Sequence, residues 1–178
     1  MYSRYYNILP KAKQEYIFNK LIRSKHWRYG GVSNAQSSDF CLSNPDTNVF
    51  WFHPLMDVPE IAEVMFNVIK KLIGENYKLQ DVYANGQTKG QDGDWHKDHV
   101  SHNKENTHTF LYYSNPIWMQ EWGGYTLFED EVERPVVYIP NSGILFKAKS
   151  NHLGLGPNNI YNGLRTTIAF KLRYEEKI

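Results

Sequence analysis

Residues 165–174 read RTTIAFKLRY, and the division of this stretch between two faces decides the fold. Alternate residues of an extended chain point to the same side. Arg165, Thr167 and Ala169 therefore share one face, and Thr166, Ile168 and Phe170 share the other. The second set suits a face covered by helices. The first places a guanidinium beside a threonine hydroxyl, a fork for a carboxylate at the floor of a barrel.

Working back from this strand, the chain after Gly74 alternates strand-like runs with turn residues: YKLQDVYAN (77–85), DWHKDHV (94–100), THTFLYYS (107–114), GYTLFED (124–130), RPVVYIP (134–140) and GILFKAK (143–149). Before Gly74 the period changes. Residues 10–25 form a helix with Pro10 in its first turn and Ile17, Phe18, Leu21 and Ile22 along an apolar stripe. Its lysines and arginines (Lys11, Lys13, Lys20, Arg23, Lys25) read as a solvated side. NVFWFH (48–53) reads as a strand, and residues 58–73 as a second helix with Ile61, Val64, Met65, Val68 and Leu72 on one side and Gly74 as its stop. Two helices followed by about seven short strands predict a mainly β fold, a sheet closed into a barrel or jelly roll with the helices packed outside. A chain of 178 residues suits a single domain, 1–178, with a helical part at 1–74 and the jelly roll at about 77–174.

Composition bounds the function. The formal net charge is +1, which supplies no track for nucleic acid phosphates. The single Cys41 allows no intrachain disulfide framework, and no apolar run approaches membrane-spanning length. The opening MYSRYYNILPKAK lacks a signal-peptide core, so a cytoplasmic setting without membrane or nucleic acid partners is the expectation.

The densest cluster of metal-ligating side chains is GDWHKDHVSH, residues 93–102. His96 and Asp98 leave one side of a strand together, His99 points the other way, and His102 falls in a polar loop. An H-x-D triplet is weak by itself, because a chain of this composition produces one by chance about 0.3 times. A third ligand is needed. His26, near the end of the basic helix, and His53, before a proline, read as structural, and His108 as a surface or supporting residue. His152 lies just beyond GILFKAK, and Arg165 follows thirteen residues later. Two imidazoles and a carboxylate occupy one face of an octahedral ion and leave three positions open, as in non-haem Fe(II) oxygenases. The same set satisfies a tetrahedral zinc with one water. Arg165 tips the balance, since a hydrolytic zinc has no need of a carboxylate fork, whereas an oxygenase that chelates a keto dicarboxylate does.

Taken in order and spacing, VYANG, HKD, FLYYSNP, GGYTLF, PNSGILF, the lone His152 and NGLRTTIAF resemble the 2-oxoglutarate- and Fe(II)-dependent dioxygenases, most closely their prolyl 4-hydroxylase-like branch. The resemblance covers roughly residues 77–174. It implies a double-stranded β-helix of the cupin-like jelly-roll type. Its iron ligands would be His96, Asp98 and His152, and Arg165 would bind the distal carboxylate of 2-oxoglutarate. Tyr113 would join Arg165 through its hydroxyl, with Tyr83 and Thr167 in the cosubstrate pocket. Gly123, Gly124 and Thr126 match a recurrent turn and strand. The implied cofactors are Fe(II), 2-oxoglutarate as cosubstrate, O2, and ascorbate as a supporting reductant. The implied reaction couples oxidative decarboxylation of 2-oxoglutarate to hydroxylation of an unactivated C–H, with peptidyl proline as the first substrate expectation. A free amino acid or other small metabolite is the alternative within the class. A zinc hydrolase and a non-catalytic cupin-like binding module are the readings outside it. Two features depart from the prolyl hydroxylase pattern: a long loop between His152 and Arg165, and the segment NPIWMQEWG with Trp118 and Trp122 near the rim.

Overall fold

In the computed structural model, residues 2–33, 48–98, 106–131 and 134–176 are described. Cys41, His99 and His102 lie outside them. Nine strands occur among the described residues: β1 (Tyr2–Tyr5), β2 (Arg28–Gly31), β3 (Phe50–Pro54), β4 (Tyr77–Gln87), β5 (Thr107–Tyr113), β6 (Thr126–Phe128), β7 (Gly143–Lys147), β8 (His152–Gly154) and β9 (Arg165–Tyr174). The helices are α1 (Lys11–Ile22) and α2 (Phe66–Ile73), the latter continuing a π-helical turn over Glu60–Met65.

Seven strands form one antiparallel sheet in the order β1-β7-β5-β9-β4-β3-β2, with β9 at its centre. The long strands read from sequence are present, and β9 spans Arg165–Tyr174. The first 74 residues contribute strands as well as helices, because β1, β2 and β3 pair into this sheet. The second sheet is small: β6 pairs β8. Of two further runs expected as strands, 94–100 and 134–140, the described residues (94–98 and 134–140) form single bridges that extend it, His96 to His152 and Val136 to Thr126.

The two faces of β9 separate as its alternation predicts. Ile168, Phe170 and Leu172 join Val82, Ala84, Phe110 and Tyr112 beneath the helices, where Ile17, Leu21, Ile61, Met65 and Ile69 meet them. Phe170 lies 6.4 Å from Phe66 and 6.5 Å from Phe110, ring centre to ring centre. Ala169 turns the other way, into a smaller core between the sheets with Leu111, Tyr113, Phe128, Tyr138 and Phe146.

The helix stripes need correction. Ile22 is exposed on α1, whose inward positions are Gln14, Ile17 and Leu21. Val64 and Leu72 are also exposed, and Ile61, Ala62, Met65, Phe66 and Ile69 are buried in their place. A π turn takes an extra residue per turn relative to the α-helix. The wider opening turn lets Ala62 and Phe66 turn inward and carries Val64 away from the sheet. Gly74 ends α2 as expected, at a φ of 123° that disfavours any residue with a Cβ. No helix among the described residues is long and apolar enough to cross a membrane.

Candidate metal centre and adjoining cavity

The bridge between the small sheet's outer segment and β8 is built from two of the candidate ligands. His96 donates its backbone N–H to the His152 carbonyl at 3.0 Å, and His152 donates back at 2.9 Å. This places the imidazoles side by side, 4.3 Å between ring centres. Each ring is then oriented by a carbonyl two residues earlier: Nδ1 of His96 lies 2.9 Å from the Asp94 carbonyl, and Nδ1 of His152 lies 3.0 Å from that of Ser150. A carbonyl only accepts, so each Nδ1 carries a proton, and in the neutral ring the lone pair is left on Nε2. These carbonyls orient the ligands, and they are backbone groups that residue types alone do not reveal.

Asp98 completes the set. Its Oδ1 stands 3.5 Å from His96 Nε2 and its Oδ2 stands 3.7 Å from His152 Nε2. One ligand atom from each of the three residues lies within 4.8 Å of the others. Donors about 2.1 Å from one ion and at right angles to each other stand about 3 Å apart. The three residues therefore fit a divalent cation after a small closure of their side chains. Burial pushes the His152 imidazole down to about 4, against the opposing pull of Asp98. Burial alone would raise the Asp98 carboxyl, but the Lys171 ammonium beside it holds it well below the usual carboxylate range.

A cavity of about 620 Å³ opens beside the triad, and Arg165, Thr167 and Tyr83 also line it. Arg165 is 2 % exposed, deeply buried for a cation. Its Nε donates to the Gly124 carbonyl at 3.0 Å and its Nη1 to Gln87 Oε1 at 2.6 Å. Gln87 is held in that orientation because its amide nitrogen donates to the Gln91 and Gly154 carbonyls. The remaining nitrogen, Nη2, is buried and has no partner.

The long loop before Arg165 does not disturb its register, because Asn115 clamps the backbone on either side of it. The Asn115 amide nitrogen donates to the Leu164 carbonyl at 2.9 Å, and its Oδ1 accepts the Thr166 N–H at 2.7 Å. Trp118 and Trp122 stack against Tyr161, at 4.8 and 4.5 Å, and so tie the rim segment to that same loop. Neither tryptophan lines the cavity.

Of the other residues read from sequence, Tyr113 is fully buried behind the cavity, its hydroxyl 3.0 Å from that of Thr126, which does line it. Tyr83 stacks on Phe52 at 5.1 Å. His53 is buried with its Nε2 2.6 Å from the Ser24 hydroxyl, and His108 packs edge-on against Tyr77. Both lie away from the triad's cavity.

Lys171 escaped the sequence reading. It is the next residue on the Arg165–Thr167–Ala169 face, is 5 % exposed, and places its ammonium 2.6 Å from Asp98 Oδ2. Burial would lower its pKa, yet Tyr83 and Asp98 hold it above the ordinary value, so it is charged. Extending the alternation by one step would have found it.

No family model matches the sequence, and no curated protein matches it either. Solved structures do. A prolyl 4-hydroxylase from Pseudomonas putida aligns over 98% of this chain and 93% of its own, with a TM-score of 0.59 at 14% identity. A viral collagen prolyl hydroxylase from Paramecium bursaria Chlorella virus-1, solved as a 2-oxoglutarate complex, aligns over 98% and 96%, with a TM-score of 0.56 at 15% identity. A Trichoplax adhaerens prolyl hydroxylase, solved with a peptide fragment of the hypoxia-inducible factor oxygen degradation domain, aligns over 97% and 83%, with a TM-score of 0.67 at 16% identity.

Proposed function

We propose that this chain, which has the fold of the 2-oxoglutarate- and Fe(II)-dependent oxygenases, is itself an oxygenase that hydroxylates an unactivated C–H bond. One observation carries the reading: the cavity that meets a two-histidine, one-carboxylate cluster also holds a buried guanidinium with an unpartnered nitrogen. A carboxylate ligand would supply the missing acceptor, and the fork geometry of arginine suits it. A hydrolytic zinc would give Arg165 no such task.

The roles follow from position. His96, Asp98 and His152 would hold Fe(II), the imidazoles through the Nε2 atoms that their Nδ1 contacts leave available. When bound, the metal and 2-oxoglutarate supply the oxidising power, with succinate and carbon dioxide as by-products; the protein supplies geometry and shelter. Arg165 would bind the far carboxylate of the cosubstrate with a guanidinium fixed beforehand by Gly124 and Gln87. Thr167 and Tyr83 line the same space, and Tyr113 would act through its contact with Thr126. Leu111, Phe146 and Ala169 on the cavity wall exclude water from the reacting carbon.

The substrate we propose is a prolyl residue of a peptide or protein, by likeness to the prolyl hydroxylases above. A free amino acid or small metabolite is the competing substrate class. With Fe(II) and ascorbate, the purified protein should convert 2-oxoglutarate to succinate, and anaerobic Fe(II) plus 2-oxoglutarate should give a weak visible charge-transfer band. Arg165→Ala should raise the KM for 2-oxoglutarate by at least about a hundredfold, the scale of a lost buried charged pair. Absence of succinate and of the band in the wild-type protein would remove the oxygenase reading. Peptide and amino acid panels then separate the two substrate classes.

A further inference from the structure

The buried ammonium of Lys171 has no part in the roles assigned above. It sits directly across the β5–β9 ladder from Thr109. Both side chains converge on one atom: Lys171 Nζ and Thr109 Oγ1 each stand 2.6 Å from Asp98 Oδ2. A carboxylate oxygen offers about two lone-pair directions, and these two donors occupy them. The other oxygen, Oδ1, faces His96 Nε2 at 3.5 Å, and Oδ2 itself stands 3.7 Å from His152 Nε2.

We propose that Lys171 and Thr109 are positioning residues that hold Asp98 by Oδ2 and so fix the orientation of its carboxylate against the two imidazoles. The inference rests on the reading of the triad as a metal centre and adds to it the outer partners that set its carboxylate. The strand pairing fixes the geometry. Two side chains opposed across a ladder are set by the sheet register, so Oδ2 is held from a rigid floor. Asp98 itself lies two residues past the His96–His152 bridge and belongs to none of the nine strands, so its own backbone carries no ladder bond that would orient it. The pair also neutralises a carboxylate buried at 8 % exposure before any ion binds.

Co(II), whose visible spectrum reports its ligand geometry, is the probe. Binding to the metal-free full chain is measured by calorimetry and by absorbance, without cosubstrate. Thr109→Val removes the hydroxyl at nearly constant volume, and Lys171→Met removes the charge. Each should weaken Co(II) binding by about ten- to a hundredfold, the usual cost of losing an outer partner of a ligand. Both should shift the Co(II) bands in the same direction, since each frees the same oxygen. Thr109→Ser, which restores the hydroxyl, should recover affinity and spectrum. If Lys171→Met does not fold, Thr109→Val and Thr109→Ser carry the test. Wild-type affinity and an unchanged spectrum in Thr109→Val overturn the inference and leave the metal centre standing. A wild-type protein that binds no Co(II) overturns the metal centre, and this inference falls with it.

Discussion

Of the three candidate ligands, His152 carries a pH signature that needs no metal to read. Its folded pKa is about 4, depressed by burial, against about 6.5 in an unfolded chain. Below pH 6.5 the unfolded chain takes up a proton that the folded chain refuses until pH 4. Stability is therefore complete above pH 6.5 and falls as the pH drops toward 4, by about 1.4 kcal/mol per pH unit and roughly 3 kcal/mol in total. Asp98 acts in a separate window. Its folded pKa is depressed, so its contribution is lost only below the ordinary carboxylate range. Denaturant midpoints of the metal-free protein, taken across pH 7.5 to 4.5, should show the decline, and His152→Gln should make it shallower, leaving the share of His53 and His108, which burial also depresses. An equal slope in that variant would assign the proton elsewhere. His152 was legible in the sequence because an isolated histidine after an apolar strand has few structural reasons to be there. Lys171 was not, since a lysine in a strand ordinarily marks a solvent face; here that face looks inward on a cavity.

At the scale of elements, the turn ahead of β6 governs the cation opposite the triad. Gly124 has a φ of 73°, and a Cβ there would stand 2.8 Å from Trp118 and 3.0 Å from Cδ and Nε of Arg165. Gly124→Ala should therefore cost roughly 1 to 3 kcal/mol through strain and overlap. It should also displace the guanidinium, weakening 2-oxoglutarate binding at least tenfold while Mn(II) affinity holds. Calorimetry of each ligand separates the two effects, and undiminished 2-oxoglutarate affinity would show that Arg165 tolerates the push. GGYTLF could be read as a turn and a strand from its glycines, but the crowding against Arg165 is a tertiary fact. The same limit explains the other misreadings. β1, β2 and β8 have four, four and three residues, too few for a period to register. Among the described residues, the runs around His96 and Val136 form one bridge apiece, because their side chains serve the triad and the core between the sheets more than a ladder. The stripe of the second helix failed because a π turn changes the period on which stripe reading depends.

Across the whole molecule, β9 joins stability to the site. One face holds Ile168, Phe170 and Leu172 in the helix-covered core, and the other presents Arg165, Thr167 and Lys171 to the cavity. The core face was readable from alternation, and it fixes where the site face must point. The cavity face offers a ligand two separate holds, the triad and the buried Arg165 guanidinium. Ligands should therefore stabilise the protein in two separable increments. Mn(II) at a hundred times its Kd should stabilise the protein by about 2.7 kcal/mol, seen as a rise of several degrees in Tm. Adding 2-oxoglutarate to the Mn(II) protein should raise the Tm again, because its far carboxylate then pairs with the guanidinium. Arg165→Ala should keep the first increment and lose the second, whereas His152→Gln should lose both, since the chelating end of 2-oxoglutarate depends on the metal. A second increment of full size in Arg165→Ala would place the cosubstrate carboxylate somewhere other than β9, and the link between core and chemistry through that strand would fail.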